Sequence, residues 1–329
     1  MTVNGKKKLS MSPDLSVKIG NVVFKNPVTV ASGTFGNTNE FEPYVDFSRL
    51  GAFVTKTITL NARIGNPMPR IVETPSGMLN AIGLENKGLE DYVENKIPYL
   101  SKFSTHLITS IAASGPEEFL KMVRVLDKQK KVTGIELNLS CPNIRDKGVS
   151  FAKHAQEVEK IVKEVRANTS KLLITKLSPE MSNFMDVAEI TVKSGTDALS
   201  LINTIKGMAV DIYQRTPRIS NVTGGLSGPA IRPIALRYVY EVKSALDIPV
   251  LGMGGISSWQ DAMEFIITGA HMIATGTANF VNPTACTDVL EGIEKYLEDR
   301  KIHSLNELRG SLKIAEYISQ KRGTQNIIG

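Results

Sequence analysis

Eight short runs of β-branched and other apolar residues alternate with longer amphipathic segments, and this alternation constrains the fold more than any other feature. The runs are PVTVASG (27–33), AFVTKTIT (52–59), LITSIAA (107–113), GIELNLS (134–140), LLITKLS (172–178), ALSLINT (198–204), PVLGMGG (249–255) and MIATGTA (272–278). Such runs are typical of parallel strands that are buried on both faces. Strands that alternate with helical segments predict βαβ units in a parallel sheet.

The segments between the runs carry helix signals. PEEFLKMVRVLDKQ has apolar residues at helical spacing and opens with Pro116 and two glutamates. AQEVEKIVKEVRAN and SWQDAMEFIITG follow the same pattern, with Gly269 where a helix should end. Eight such units in one α/β chain predict a (β/α)8, or TIM, barrel. A doubly wound open sheet is the alternative, but no GxGxxG turn follows the first strand.

The barrel is expected to form a single domain over residues 1–329, with a flexible extension at 1–14 and a flexible tail at 316–329. SVKIGNVVFKNP predicts a β-hairpin around Gly20 that covers the bottom of the barrel. Long loops at 60–86 and 205–229 follow the second and sixth strands at the carboxyl-terminal face. Long loops inside compact domains are usually functional.

Composition narrows the class of protein. Two cysteines, Cys141 and Cys286, are too few for a disulfide framework and favour a reducing compartment. No Cys/His spacing resembles a metal site, and no apolar run has the length of a membrane span or signal peptide. We therefore expect a cytoplasmic protein. The net charge is +6, of which three lysines at 6–8 supply half, and this mild excess does not favour nucleic-acid binding.

Polar residues stand at the predicted strand ends, where barrels of this kind place their chemistry. In chain order, the residues at the strand ends are Ser32, Lys56 with Thr57, Ser110, Asn138, Lys176, Asn203 with Thr204, Gly254 with Gly255, and Gly276 with Thr277. The two lysines are the most unusual, because a buried ammonium is costly unless it meets an anion or an acceptor. The alternative is an ion pair with Glu136, the only acid within these strands, which cannot pair with both.

Glycine-rich turns follow the last two strands, in GMGGI and ATGTANF, and a third turn, TGGLSGPA, occupies 223–230. Backbone N–H groups at such turns form phosphate sites, although simple turn glycines are the alternative. A predicted ligand site with a phosphate site at one end, and with amides and lysines at the other end, favours FMN as the ligand. Lys176 is our candidate to stabilise the anionic reduced flavin near its N1–C2 carbonyl.

Cys141 follows the fourth strand in NLSCPN, between Asn138 and Asn143. An isolated cysteine is usually a small buried hydrophobe, and we keep that interpretation for Cys286. The strand-end position of Cys141 favours a role as a base, since a thiol has a pKa nearer neutrality than a serine hydroxyl. His154, on the next segment, is expected to be a surface histidine.

Several stretches together resemble class 1 dihydroorotate dehydrogenases, in particular subclass 1B catalytic subunits, over residues 15 to 310. They are ASGTFG (31–36), TKTITLNARIGNPMPR (55–70), GMLNAIGLENKG (77–88), ELNLSCPN (136–143), TKLSPE (175–180), LINTIKG (201–207), TGGLSGPAIRPIA (223–235), GMGGI (252–256) and ATGTANF (274–280). Membrane-bound class 2 enzymes instead have serine at the position of Cys141 and an N-terminal membrane helix.

The resemblance implies oxidation of (S)-dihydroorotate to orotate in de novo pyrimidine biosynthesis. Cys141 would remove the C5 proton while the C6 hydride passes to N5 of FMN. The implied substrate contacts are Lys56, Asn80, Ala81, Ile82, Gly83, Leu84, Asn138, Asn143, Asn203 and Thr204. The implied FMN contacts are Ser32, Lys56, Thr57, Ser110, Asn138, Lys176, Ile202, Gly228, Gly254, Gly255, Gly276 and Thr277. Ser110 departs from the asparagine common in the family, and the loop after Asn143 is also unusual.

The resemblance further implies a homodimer that pairs with an electron-transfer subunit in a heterotetramer. That partner would carry FAD and a [2Fe-2S] cluster and pass electrons to NAD. This chain has only two cysteines and no Rossmann glycine motif for such centres. We expect no metal, nucleic acid or membrane as a partner. The alternatives are a dihydrouridine synthase acting on tRNA, a dihydropyrimidine-type reductase, and a non-catalytic barrel that binds a phosphate ligand.

Overall fold

The computed structural model describes residues 12–35, 39–139, 155–180 and 183–318. Its strands are β1 (Val17–Ile19), β2 (Val22–Phe24), β3 (Val28–Val30), β4 (Ala52–Val54), β5 (Ile71–Thr74), β6 (Gly77–Asn80), β7 (His106–Ile111), β8 (Val132–Asn138), β9 (Leu172–Lys176), β10 (Ala198–Leu201), β11 (Ile205–Met208), β12 (Val210–Asp211), β13 (Thr216–Pro217), β14 (Thr223–Ser227), β15 (Val250–Met253) and β16 (Met272–Thr275). Its α-helices are α1 (Gly88–Asp91), α2 (Ile97–Leu100), α3 (Pro116–Asp127), α4 (Ala155–Arg166), α5 (Phe184–Lys193), α6 (Arg232–Ala245), α7 (Trp259–Thr268), α8 (Ala278–Val281) and α9 (Ala285–Arg300).

Eight of these strands form one parallel sheet, in the order β3-β16-β15-β10-β9-β8-β7-β4. Strands that follow one another in this set along the chain are neighbours in the sheet, and its two ends meet where the Gly51 N–H donates to the Val28 carbonyl at 3.0 Å. Each of the eight predicted runs overlaps one of these strands, although β7 begins one residue and β8 two residues before its run. The prediction of a (β/α)8 barrel is therefore confirmed, and the doubly wound sheet was the wrong alternative.

Side chains on both faces of the barrel strands are buried, which explains their continuous apolar sequence. Helix ends also follow the sequence signals. α3 begins at Pro116 with acidic residues in its first turn. α7 has a capping box between Ser258 and Asp261, and Gly269 ends it with a φ of 124°.

The predicted hairpin is present as the antiparallel pair β1–β2, and Gly20 turns it with a φ of 55°. Val17, Ile19 and Phe24 pack in one apolar cluster with residues that begin barrel strands, such as Ala52 and Met272. The hairpin therefore closes the amino-terminal end of the barrel, as expected.

The two long loops fold together at the opposite end. Strands β5 and β6 from the first loop and β11 and β14 from the second form an antiparallel sheet in the order β11-β14-β6-β5, which we call the cap sheet. Leu79, Ala81 and Ile219 make a small apolar core beneath it. The loops that looked irregular in sequence thus become one structured cover.

Near the amino terminus, the Asp14 N–H donates to the His303 carbonyl at 2.8 Å, and the Leu305 N–H donates to the Asp14 carbonyl at 2.9 Å. Residues 1–11 and 319–329 lie outside the described residues, so the proposed flexibility of both termini stays a prediction. Within the described ranges, no helix has both the length and the apolar character needed to cross a bilayer.

Candidate active site

A cavity of about 880 Å³ lies between the carboxyl ends of the barrel strands and the cap sheet. This volume is in the range of roughly 300–1,000 Å³ that is typical of cofactor and ligand sites. Predicted site residues that line it are Ser32, Lys56, Thr57, Asn80, Ala81, Ile82, Gly83, Leu84, Asn138, Lys176, Ile202, Asn203, Thr204, Gly228, Gly254, Gly255, Gly276 and Thr277. Residues far apart in sequence therefore meet in one site, as the barrel prediction requires.

Lys176 ends β9 and lines the cavity, although only 4% of its surface is exposed. Its Nζ lies 3.5 Å from Ser32 Oγ, and among the described residues no acidic side chain pairs with it. A single hydroxyl at that distance compensates a buried ammonium poorly. The side chain is therefore placed for an acceptor that occupies the cavity.

Glu136 was the alternative partner for the buried lysines, and it takes a different role. Its two carboxylate oxygens accept hydrogen bonds from Ser110 Oγ at 2.9 Å and from Ser200 Oγ at 3.0 Å. Lys56 instead lies beside the end of β3, where a Cβ on Gly33 would be 3.4 Å from its Nζ. Both lysines thus face the cavity.

The lining of the cavity is more basic than acidic. Within the described residues it includes seven lysines and arginines but three carboxylates: Lys56, Arg63, Arg70, Lys87, Lys96, Lys176 and Lys206 against Glu85, Asp91 and Glu180. Arg70 and Glu85 neutralise each other in an ion pair. The remaining excess of positive charge favours ligands that carry carboxylate or phosphate groups.

The predicted phosphate turn follows β15. Gly254 and Gly255 have φ values of 124° and 77°, in the region that favours glycine. An added Cβ on Gly254 would lie 2.9 Å from the Ala235 Cβ, and one on Gly255 would lie 2.8 Å from the Arg232 Cβ. Only glycine lets the backbone pass here and face the cavity.

The predicted substrate segment 80–84 leaves β6 and turns along the cavity wall. Gly83 and Leu84 both have positive φ, at 76° and 57°. Two asparagines outside the predicted set fasten it: Asn66 Nδ2 donates to the Ala81 carbonyl at 2.8 Å, and Asn86 Nδ2 donates to the Leu84 carbonyl at 2.7 Å. The segment is therefore held in a fixed shape before any ligand binds.

Ser110 does not line the cavity, because it is fully buried one layer below. Its Oγ lies 2.9 Å from Thr57 Oγ1, and Asn138 Nδ2 donates to the same Thr57 oxygen at 3.3 Å. Among the described residues, Ser110 thus reaches the cavity through Thr57, and its predicted contact with FMN stays a prediction.

Cys141, Asn143 and His154 lie outside the described residues, so their predicted roles stay predictions. Cys286 is fully buried in the apolar core around α9, in line with the packing role expected for it. Among the residues that the structure describes, no cluster of three or more His, Cys, Asp or Glu side chains is arranged to hold a metal ion.

The sequence prediction missed several cavity residues in the long loops and helical turns, among them Arg63, Arg70, Asn86 and Tyr92. Burial raises the pKa of Tyr92 above its ordinary value. Its hydroxyl lies 2.6 Å from Thr109 Oγ1. The only available signal was that these residues belong to long segments after the second strand.

The model of the family described as dihydroorotate dehydrogenase matches residues 14–297, which is most of the chain. The chain belongs to the dihydroorotate dehydrogenase family. This confirms the resemblance seen in the sequence, and with it the expectation of an enzyme of the oxidoreductase class.

Similar dihydroorotate dehydrogenases are catalytic subunits of the B form. The dihydroorotate dehydrogenase B (NAD(+)), catalytic subunit, of Geotalea uraniireducens is 46% identical over 300 residues, which cover 91% of this chain and 98% of the relative. The protein of the same name from Thermoanaerobacter pseudethanolicus is 48% identical over 301 residues, with 92% and 99% coverage. The one from Bacteroides thetaiotaomicron is 46% identical over 301 residues, with the same coverage. The resemblance to subclass 1B is confirmed.

Proposed function

We propose that this dihydroorotate dehydrogenase oxidises (S)-dihydroorotate to orotate, with FMN bound in the cavity, in de novo synthesis of UMP. The observation that carries the proposal is Lys176, a buried ammonium at the cavity whose partner among the described residues is a single hydroxyl at 3.5 Å. The excess of basic residues in the lining supports an anionic ligand of this kind.

The residues that line the cavity fit both the phosphate end and the flavin ring of FMN. Gly254 and Gly255 leave room for backbone N–H groups to approach a phosphate, and Gly228 and Gly276 line the same part of the cavity. Lys176 provides a donor for the polar edge of the flavin ring, and Thr57 lines the same cavity. When bound, FMN supplies a two-electron acceptor for the hydride at C6 of the substrate.

The chain's own residues would orient the substrate and move its proton. Asn80, Asn138 and Asn203 offer uncharged donors and acceptors to a ring that carries carbonyl and N–H groups. Lys56 supplies a positive charge for the substrate carboxylate. Cys141 acts as the base at C5, and the cap sheet limits the access of water to the site.

Electrons would leave through a second subunit. The relatives named above are catalytic subunits of NAD(+) enzymes, and this chain's two cysteines cannot supply four ligands for an iron–sulfur cluster. We infer a cytoplasmic homodimer that binds an electron-transfer subunit with FAD and a [2Fe-2S] cluster, which gives a heterotetramer.

Steady-state oxidation of dihydroorotate and of dihydrouracil, with an artificial electron acceptor, tests the substrate. Dihydrouracil lacks the carboxylate, so we expect a kcat/KM at least 10³-fold lower, because a site built for a polar group discriminates strongly against its absence. Equal values would favour a dihydropyrimidine-type enzyme. Rapid reduction of NAD by the purified chain alone would contradict the proposed partner subunit.

A further inference from the structure

The barrel interior below the cavity contains a fully buried carboxylate, Glu136 on β8. Apolar side chains of the neighbouring barrel strands, such as Ala52, Ile174 and Leu251, form a cluster. Within the part of the chain that the structure describes, the Glu136 carboxylate oxygens accept hydrogen bonds from two neutral hydroxyls, those of Ser110 and Ser200. Burial of a carboxylate with neutral donors alone is costly, and an apolar residue would serve stability at least as well. We therefore expect Glu136 to have a role at the cavity above it.

The carboxylate sets the direction of the hydrogen bonds that connect it to the cavity. Ser110 gives its only proton to Glu136, so its oxygen must accept from the Thr57 hydroxyl at 2.9 Å. Thr57 has then used its own proton, and its oxygen accepts from Asn138 Nδ2 at 3.3 Å. Every proton in this series of hydrogen bonds, from Asn138 through Thr57 and Ser110, points away from the cavity and toward Glu136.

A branch of this series of hydrogen bonds includes the buried lysine, Lys176. Thr57 Oγ1 also lies 3.5 Å from Ser32 Oγ, as the donor of a longer contact that competes with its 2.9 Å hydrogen bond to Ser110. Lys176 Nζ then donates to the Ser32 oxygen at 3.5 Å. Glu136 is thus connected through three hydroxyls to the ammonium that the proposed function assigns to the reduced flavin.

We propose that Glu136 is a positioning residue that fixes the direction of this series of hydrogen bonds and biases the site against reduced FMN. The Thr57 oxygen then presents a lone pair, and not a proton, toward the cavity, and the carboxylate adds its negative charge beneath it. Both effects oppose Lys176 and disfavour a flavin that has gained negative charge. This inference rests on the proposed function, because it requires FMN in the cavity.

Glu136→Gln removes the charge, and when its Nε2 faces Ser110 the amide donates to the serine oxygen and frees the serine proton for Thr57. We expect the affinity for reduced FMN, relative to oxidised FMN, to rise at least tenfold. This corresponds to a midpoint potential about 30 mV more positive for a two-electron couple. The measurement is a spectroscopic redox titration of the flavin-loaded enzyme.

Ser200→Ala is the matched control, because it removes the other hydroxyl from Glu136 and leaves the path through Ser110 to the cavity intact. We expect its affinity ratio to stay within threefold of wild type. Should Glu136→Gln not fold, the triple variant Glu136→Met, Ser110→Ala and Ser200→Ala replaces the whole buried polar group with apolar side chains. Such replacements usually preserve folding, and the same upward shift is expected.

An unchanged potential in Glu136→Gln, or in the triple variant, would overturn the inference. An equal shift in Ser200→Ala would also overturn it, since the effect would then follow from any loss of polarity in this layer. Wild-type enzyme that binds no FMN would instead overturn the proposed function, and the inference with it. Extraction and quantification of the flavin before the titration separates these two failures.

Discussion

Lys176→Met should affect stability and cofactor binding in opposite directions. In the flavin-free protein the lysine is 4% exposed and has one hydroxyl at 3.5 Å, so its charge is poorly compensated. Replacing a buried ion by an apolar group of similar size is commonly neutral or stabilising, by up to about 4 kcal/mol. Because the ammonium borders a cavity that water can enter, we expect a gain near the low end, about 1 kcal/mol in the free energy of unfolding.

FMN binding should weaken in the same variant, because a hydrogen bond to a charged group is lost, at about 1.5–3 kcal/mol. This corresponds to a roughly ten- to 150-fold increase in the Kd for FMN. Urea unfolding of the flavin-free protein, followed by circular dichroism, measures the stability, and quenching of flavin fluorescence measures the Kd.

Lys193→Met is the control, since Lys193 is an exposed lysine in α5 that pairs with Glu189 at 2.6 Å. Substitution of an exposed residue should change stability by less than about 0.5 kcal/mol and leave the Kd for FMN unchanged. A Lys176→Met protein that is clearly destabilised, yet binds FMN as wild type does, would refute the reasoning, because the lysine would then serve the fold and not the ligand.

Four further predictions address other groups. Cys141→Ala should retain flavin but slow its reduction by dihydroorotate roughly 10²–10⁴-fold at pH 7, and near wild-type bleaching in stopped flow would exclude the base assignment. Gly254→Ala should lower the free energy of unfolding by about 1–3 kcal/mol, as measured in urea, because φ is 124° and the new Cβ would lie 2.9 Å from a neighbouring Cβ. Burial raises the pKa of the Cys286 thiol to about 12, so in a Cys141→Ala background a disulfide reagent at pH 8 should react only after unfolding, and reaction of the folded protein would contradict this burial. Burial, and then the charge of Arg309, lower the pKa of His271 to about 4 from its ordinary 6.5. The unfolded chain therefore gains a proton that the folded protein does not, and stability should fall by roughly 2–3 kcal/mol as pH drops from 7 to 4. His271→Gln should flatten this part of the pH profile, and an unaltered profile would exclude His271 as its source.

The barrel could be predicted from sequence because each strand is short, β-branched and buried on both faces, so its pattern does not depend on distant partners. The ends of α3 and α7 were also predictable, since Pro116 and Gly269 act locally. The cap sheet was not. Its pairing joins Asn80 to Gly225, across 145 positions, and most of its residues are partly exposed, so no periodic apolar pattern marks it.

The candidate site was predictable where a residue stands at a strand end, as for Lys176 and Asn138, because the barrel brings all strand ends together. The partners of Glu136 were not predictable in the same way. Ser110 lies opposite Glu136 in the register of neighbouring strands, but Ser200 comes from β10, two strands away, and meets it only across the barrel interior. The catalytic role of Cys141 stays a prediction that kinetics must test.

The visible spectrum of the purified protein, before and after anaerobic addition of dihydroorotate, tests the central claim most directly. The account predicts about one FMN per chain, with a flavin absorbance that bleaches on addition of one equivalent of substrate. A colourless protein that takes up no added FMN, or a flavin spectrum that dihydroorotate leaves unchanged, would contradict it.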